Sequence, residues 1–130
     1  MATILLTDDE AHVRHVMKYK LQRAGHSVVV ATNGLEALEL AHRVLPDLIV
    51  SDQQMPLMEG LELCRALHAD ARTRHTPVIL VTSREFEIGP AETRGTSVKR
   101  VMSKPFSPSA LVAAVNEVLG AHDRAPSVAH

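Results

Sequence analysis

Short apolar runs rich in β-branched residues recur along the chain at Thr3–Thr7 (TILLT), Ser27–Ala31 (SVVVA), Asp47–Ser51 (DLIVS) and Pro77–Val81 (PVILV). A weaker run lies at Lys99–Ser103 (KRVMS). Runs that are apolar on both faces predict parallel strands in a sheet that helices cover on each side.

Helical spacing fills the intervals. Val13, Val16, Met17, Leu21 and Ala24 form one stripe, and Gly25 follows as a C′ residue. Leu35, Leu38, Ala41 and Leu45 form a second, and Leu61, Cys64 and Leu67 begin a third. The last stripe is Leu111, Val112, Val115, Val118 and Leu119. Its helix opens with Ser107 as N-cap and Pro108 at the first turn, and Gly120 is expected to close it. Right-handed crossovers between such units predict an open, doubly wound α/β domain with helices on both faces. The fourth repeat, SREFEIGPAETRGTSV, holds Gly89-Pro90 and Gly95 where a full helix belongs. Proline removes a helix-interior hydrogen bond, so a short or irregular fourth helix starting near Pro90, or a loop, is expected. The predicted organisation is one domain over residues 1–120 and a flexible C-terminal tail over 121–130.

Composition narrows the class. The chain has 130 residues, which suits one core, and 45% are hydrophobic, too many for a disordered segment. Aromatics are only 2%, so the core must be aliphatic. Lys+Arg number 14 against 15 Asp+Glu, which argues against nucleic-acid binding driven by bulk charge, although Lys99-Arg100 leaves room for a local basic patch. No apolar stretch reaches membrane-spanning length, and MATILLTDDEAH does not read as a signal peptide. The single cysteine, Cys64, cannot form an internal disulfide. A cytoplasmic location is expected.

The remaining polar residues gather by topology. In a parallel sheet all strands end on one edge, where ligands bind. The first strand leads into Asp8-Asp9, the third into Asp52, the fourth into Thr82-Ser83 and the fifth into Lys104-Pro105. Three acids at one place repel each other unless a cation joins them. A hard divalent ion such as Mg²⁺ suits such a set, and an ammonium and a hydroxyl nearby would hold phosphoryl oxygens. The constellation reads as a phosphoryl-acceptor site in which Asp52 attacks and Lys104 and Thr82 hold the transferred group.

LLTDDE, SDQQMPLMEG, VTS and SKPF, in that order and at those strand ends, resemble the signatures of the response-regulator receiver domain of two-component signalling. The resemblance covers Thr3 to Leu119, with Glu59 where the family commonly has Asp. It implies a flavodoxin-like strand order of 2-1-3-4-5. It also implies Asp52 as phosphoacceptor, and Mg²⁺ bound by Asp9, Asp52 and the backbone carbonyl of Gln54, with Asp8 acting through water. Thr82 would be the switch hydroxyl and Lys104 the phosphate partner, with a cis Lys104-Pro105 bond. Gln54 and Arg84, two residues beyond Asp52 and Thr82, would tune the phosphoryl lifetime. Where the family usually carries an aromatic switch residue the chain has Val101, so phosphorylation is expected to act by ordering Ser83–Val98. The implied donors are a histidine kinase or a phosphotransfer protein. Output would run through protein–protein contact on the face of the fourth helix, strand 5 and last helix, with no nucleic acid bound directly and no membrane.

Plainer roles exist for several of these residues. Asp9 could cap the first helix, Thr82 could simply end a strand, and Lys104 could be a solvated lysine. His12 and His15 read as a solvated helix face, Cys64 as a small core residue, Met55 and Met58 as loop packing, and Phe106 as packing behind the Lys-Pro turn. Two functional alternatives share the topology. A flavin carrier would need a Ser/Thr/Gly-rich loop where TDDEAH stands. A receiver-like scaffold without phosphorylation, or a receiver cut from a larger regulator, would keep the same residues.

Overall fold

The computed structural model describes residues 2–124. Five parallel strands, β1 (Thr3–Thr7), β2 (Ser27–Ala31), β3 (Leu48–Asp52), β4 (Val78–Thr82) and β5 (Val98–Ser103), form one sheet in the order β2-β1-β3-β4-β5. The helices are α1 (Ala11–Arg23), α2 (Gly34–Val44), α3 (Gly60–Ala69), α4 (Pro90–Thr93) and α5 (Pro108–Arg124). This is the expected doubly wound architecture. The fourth repeat holds only a 3₁₀ turn at Glu85–Glu87 and the four-residue α4, in keeping with Gly89-Pro90.

Strand alternation sorts the core into two layers. Ile4 and Leu6 of β1, Leu48 and Val50 of β3, and Ile79 and Val81 of β4 meet Met17 and Leu21 of α1 and Leu111, Val115 and Val118 of α5. On the other face Leu5, Ile49 and Val78 meet Ala37 and Ala41 of α2 and Leu63, Cys64 and Leu67 of α3. The buried strands β1, β3 and β4 lie in the middle of the sheet. β5, with Lys99 and Arg100 exposed, forms one edge.

Three expectations about helices are corrected. Of the α2 stripe, Ala41 is buried and Leu38 packs against the core, but Leu35 and Leu45 are half exposed and Ala37 is buried in their place. A Cβ on Gly34 would come within 2.2 Å of the Met58 carbonyl oxygen, so the start of α2 lies tight against the β3–α3 loop. Leu45 has left the helix for a left-handed cap, at φ 52°. In α1, Ala24 is exposed because it is already the cap residue, and Gly25 follows at φ +98° as expected. At the other end α5 does not stop at Gly120 but continues to Arg124. A glycine costs a helix only about 1 kcal/mol against alanine, and no proline intervenes before Pro126. Residues 121–124 of the expected tail are therefore helical, and 125–130 lie outside the described residues.

Candidate functional site

The same alternation that builds the core aims the polar residues. Asp8, Asp52 and Lys104 continue the β1, β3 and β5 positions that face α1 and α5. Asp52 is 3% exposed. Lys104 Nζ stands 3.1 Å from Asp52 Oδ2 and 3.7 Å from Asp8 Oδ2. Asp8 is equally buried, and its Oδ1 accepts the Glu10 N–H at 2.8 Å. The Arg14 guanidinium donates to the Asp8 carbonyl oxygen at 2.7 Å, which ties the strand end to α1. Asp9 is exposed. Asp8, Asp9 and Asp52 each place a carboxylate oxygen within 4.8 Å of the others.

Charge is out of balance there. Burial pushes the Asp52 carboxyl up to about 6, against the pull of its Lys104 hydrogen bond and charge, with Asp8 and Asp9 adding to the rise. Burial raises Asp8 as well. Burial opposes the Lys104 ammonium, but the hydrogen bond and charge of Asp52 prevail and its pKa is raised. Asp52 Oδ1 is buried and has no hydrogen-bond partner among the described residues. An all-oxygen set with excess negative charge and an unpaired buried carboxylate oxygen fits a small hard dication such as Mg²⁺.

The β3–α3 loop holds Asp52 from behind. Gly60 N–H donates to the Gln53 carbonyl at 3.0 Å, and Leu61 N–H to Gln53 Oε1 at 2.8 Å. A Cβ on Gly60 would meet the Asp52 carbonyl oxygen and Leu80 Cδ1, each at 2.6 Å, so the loop can fold this tightly only over a glycine. Thr82 points the other way. It follows Val81, which pairs with Asp52 in register, and so turns toward the opposite face. Its hydroxyl accepts from Gln54 Nε2 at 3.0 Å and from the Arg84 N–H at 3.0 Å.

Residues 4–116 match the family model for the response regulator receiver domain. The chain belongs to that family. This receiver is 32% identical over 119 residues to the protein PilH of Pseudomonas aeruginosa, covering 92% of this chain and 98% of PilH. The structure of the chemotaxis response regulator CheY4 of Vibrio cholerae superposes with a TM-score of 0.82 at 31% identity, over 91% of this chain and 98% of that one. The receiver domain of the sensor histidine kinase PA1611 of P. aeruginosa PAO1, solved with a magnesium ion coordinated in its active site cleft, gives a TM-score of 0.81 at 25% identity, over 92% of this chain and 98% of that one. The chain spans about half the length of other curated relatives, 48% and 49% of two transcriptional regulators.

Of the residues singled out in the sequence, the receiver fold brings Asp8, Asp9, Asp52 and Lys104 together and sets Thr82, Gln54 and the Arg84 amide in a second group beside them. The Arg84 side chain is exposed, with Glu87 Oε1 at 3.9 Å. Asp9 is not a helix cap, since Glu10 occupies that position. Lys104-Pro105 is cis. Val101 pairs with Leu80 on the edge of the sheet. Cys64 and Met55 are buried, and Met58 and Phe106 pack against the two core layers. His12 and His15 are both exposed. Gln53 and Gly60 also shape the site, though neither carries the charge or ligand chemistry that marks a site residue in the sequence. The signal for Gly60 lay in its place at the end of the proline-containing loop, where a close backbone approach is expected. No helix among the described residues is long and apolar enough to cross a membrane.

Proposed function

We propose that this receiver takes a phosphoryl group on Asp52 from a phosphohistidine of a histidine kinase or phosphotransfer protein. An Asp52 carboxylate oxygen forms the new P–O bond. The P–N bond of the donor breaks, and its electron pair stays on the imidazole nitrogen, which takes up a proton. Asp9, Asp52 and the Gln54 backbone carbonyl would hold Mg²⁺, with Asp8 acting through water. The metal would supply charge that offsets the acids and the phosphoryl oxygens. Lys104 holds the phosphoryl group, Thr82 donates its hydroxyl to it, and Gln54 and Arg84 govern how long it lasts.

The observation that carries this reading is the buried Asp52 carboxylate, paired to Lys104 through one oxygen and unpartnered at the other. Output runs by protein–protein contact on the face of α4, β5 and α5, without direct nucleic-acid binding, in the cytoplasm. Incubation with acetyl phosphate and Mg²⁺, followed by intact mass, tests it. One added phosphoryl mass, absent in Asp52→Asn, is the expected result. No gain in the parent protein leaves a scaffold without phosphorylation.

PilH matches nearly end to end, which supports a stand-alone regulator. The longer transcriptional regulators support a second reading, a receiver within a larger protein. The mass of the native protein in its source cells separates the two.

A further inference from the structure

We propose that the side-chain amide of Gln54 is a latch on Thr82 that sets how readily the unphosphorylated protein enters the signalling state. The inference rests on the reading of Asp52 as phosphoacceptor and assigns Gln54 a role beyond phosphoryl lifetime.

A hydroxyl offers one hydrogen and two lone pairs. Gln54 Nε2 lies 3.0 Å from Thr82 Oγ1 and Gln54 Oε1 lies 3.3 Å from it. The grip therefore survives either orientation of the amide. The Arg84 N–H takes a further position at 3.0 Å. With the amide in place, the hydroxyl has an acceptor and two donors within reach and faces away from the side that carries Asp52 and Lys104. Thr82 is fully buried, so its hydroxyl cannot exchange Gln54 for solvent. To donate to a phosphoryl oxygen its hydrogen must leave Gln54 Oε1, and the side chain must turn from the face on which the amide grips it; the phosphoryl group then replaces the lost partner.

The segment beyond Thr82 is suited to follow. Neither Glu85–Glu87 nor Pro90–Thr93 contains a buried residue, and Phe86 is 83% exposed. Few apolar contacts oppose its rearrangement. Its Arg84 amide hangs on the same oxygen that Gln54 grips. Gln54 itself stands two residues after Asp52, on a loop pinned through Gln53 and Gly60. A change at the acceptor thus reaches Thr82 through one short, anchored loop. In this added role Gln54 is a positioning residue, because in the resting protein its amide acts through Thr82.

Two readouts test the latch in the full chain. Gln54→Met keeps the side-chain length and removes the amide, and Gln54→Ala is a second variant should methionine disturb folding. In unphosphorylated protein either change should speed amide exchange from Arg84 to Ile88 by roughly fivefold, the effect of one ordinary hydrogen bond. Amides of α1 and α5 serve as the unchanged reference. The initial rate of phosphorylation by acetyl phosphate should rise by a similar factor. In a Thr82→Ala background, Gln54→Met should add almost nothing to either readout, whereas Thr82→Ser should restore its effect. An equal effect of Gln54→Met with and without the Thr82 hydroxyl, or unaltered resting exchange, overturns the latch. Failure of the parent protein to gain a phosphoryl mass would instead overturn the phosphoacceptor reading, and the resting exchange would still decide whether Gln54 restrains Thr82.

Discussion

Lys104 Nζ reaches Asp52 Oδ2 at 3.1 Å from the far edge of the sheet, two strands away, and lies 3.7 Å from Asp8 as well. One ammonium is shared between two buried acids. A buried pair of this kind adds little net stability while intact, but breaking it strands a charge.

Replacing Lys104 with alanine should therefore destabilise the protein in a pH-dependent way. At pH 8 the stranded carboxylates should cost about 1–3 kcal/mol, discounted from a fully buried pair because Lys104 is 22% exposed. At pH 5 the penalty should shrink, because Asp52 takes up a proton there. Urea unfolding at both pH values measures it. A penalty independent of pH would show that the cation serves packing and not charge.

The Asp52 carboxyl itself bears on stability. Its pKa is about 6 in the folded protein against an ordinary 3.8. A group raised on folding contributes fully below its unfolded pKa, and that contribution is lost as pH rises through the folded one. In metal-free protein stability should thus fall between about pH 4 and pH 6 and then level off. Asp52→Asn escapes this loss, so at pH 7.5 in chelator it should exceed the parent by up to about 3 kcal/mol. At pH 4 the advantage should disappear. Magnesium should stabilise the parent at pH 7.5 and leave the variant nearly unmoved. A constant difference from pH 4 to 7.5 would mean that the carboxylate is not strained by burial.

Gly60 is a separate test of how the loop holds Asp52. An added Cβ meets the Asp52 carbonyl oxygen at 2.6 Å and Gln53 Cα at 3.0 Å, and main chain cannot give way as a flexible side-chain tip can. Gly60→Ala should cost about 1–3 kcal/mol and cut the phosphorylation rate, because the displaced backbone carries Asp52. Gly25→Ala is the comparison. Gly25 sits at φ +98° with open space around it, so the change should cost about 1 kcal/mol of strain and leave phosphorylation alone. Equal phosphorylation by both variants would detach the loop from the site.

Much of this site was legible in the sequence because it follows from period-2 alternation. Once Leu6 and Val50 face α1 and α5, Asp8 and Asp52 must share that side, and the strand ends found by apolar runs fall within a residue of the observed ones. Asp9 is exposed because it lies two residues past the end of β1, outside the cover that the helices give both faces of the sheet. Other features depend on distances that no period encodes. Ala37 and Ala41, not Leu35 and Leu45, line the buried face of α2, whose first residue, Gly34, lies tight against Met58 of the β3–α3 loop. The Gln54–Thr82 contact joins polar side chains 28 residues apart, and only their placement on adjacent strand ends brings them together. Gly120 marks no helix end, since the hydrophobic side chains one turn earlier, Val115 and Val118, already fix α5 to the sheet.

The segment from Ser83 to Val98 is where the signal should become visible. On the proposed function no ring in β5 would report phosphorylation, because the strand, VKRVMS, carries no aromatic residue. Besides its short main-chain turns, the segment is held in the resting state by polar side-chain contacts that include Arg84 N–H on Thr82, Gly89 N–H on Glu92 Oε1 at 2.7 Å, and the Thr96 and Ser97 hydroxyls on main-chain oxygens. Such contacts exchange easily with water, so these amides should exchange faster than those of β1, β3 and β4. When a phosphate mimic and Mg²⁺ recruit Thr82 to the acceptor, the turn that begins at Arg84 gains a fixed anchor. Exchange across Ser83–Val98 should then slow by roughly tenfold, about 1.4 kcal/mol of added order, and the slowing should be lost in Thr82→Ala. Hydrogen exchange read by NMR or mass spectrometry checks it. Unchanged exchange on binding the mimic would place the response elsewhere, on α5 or the β5 edge.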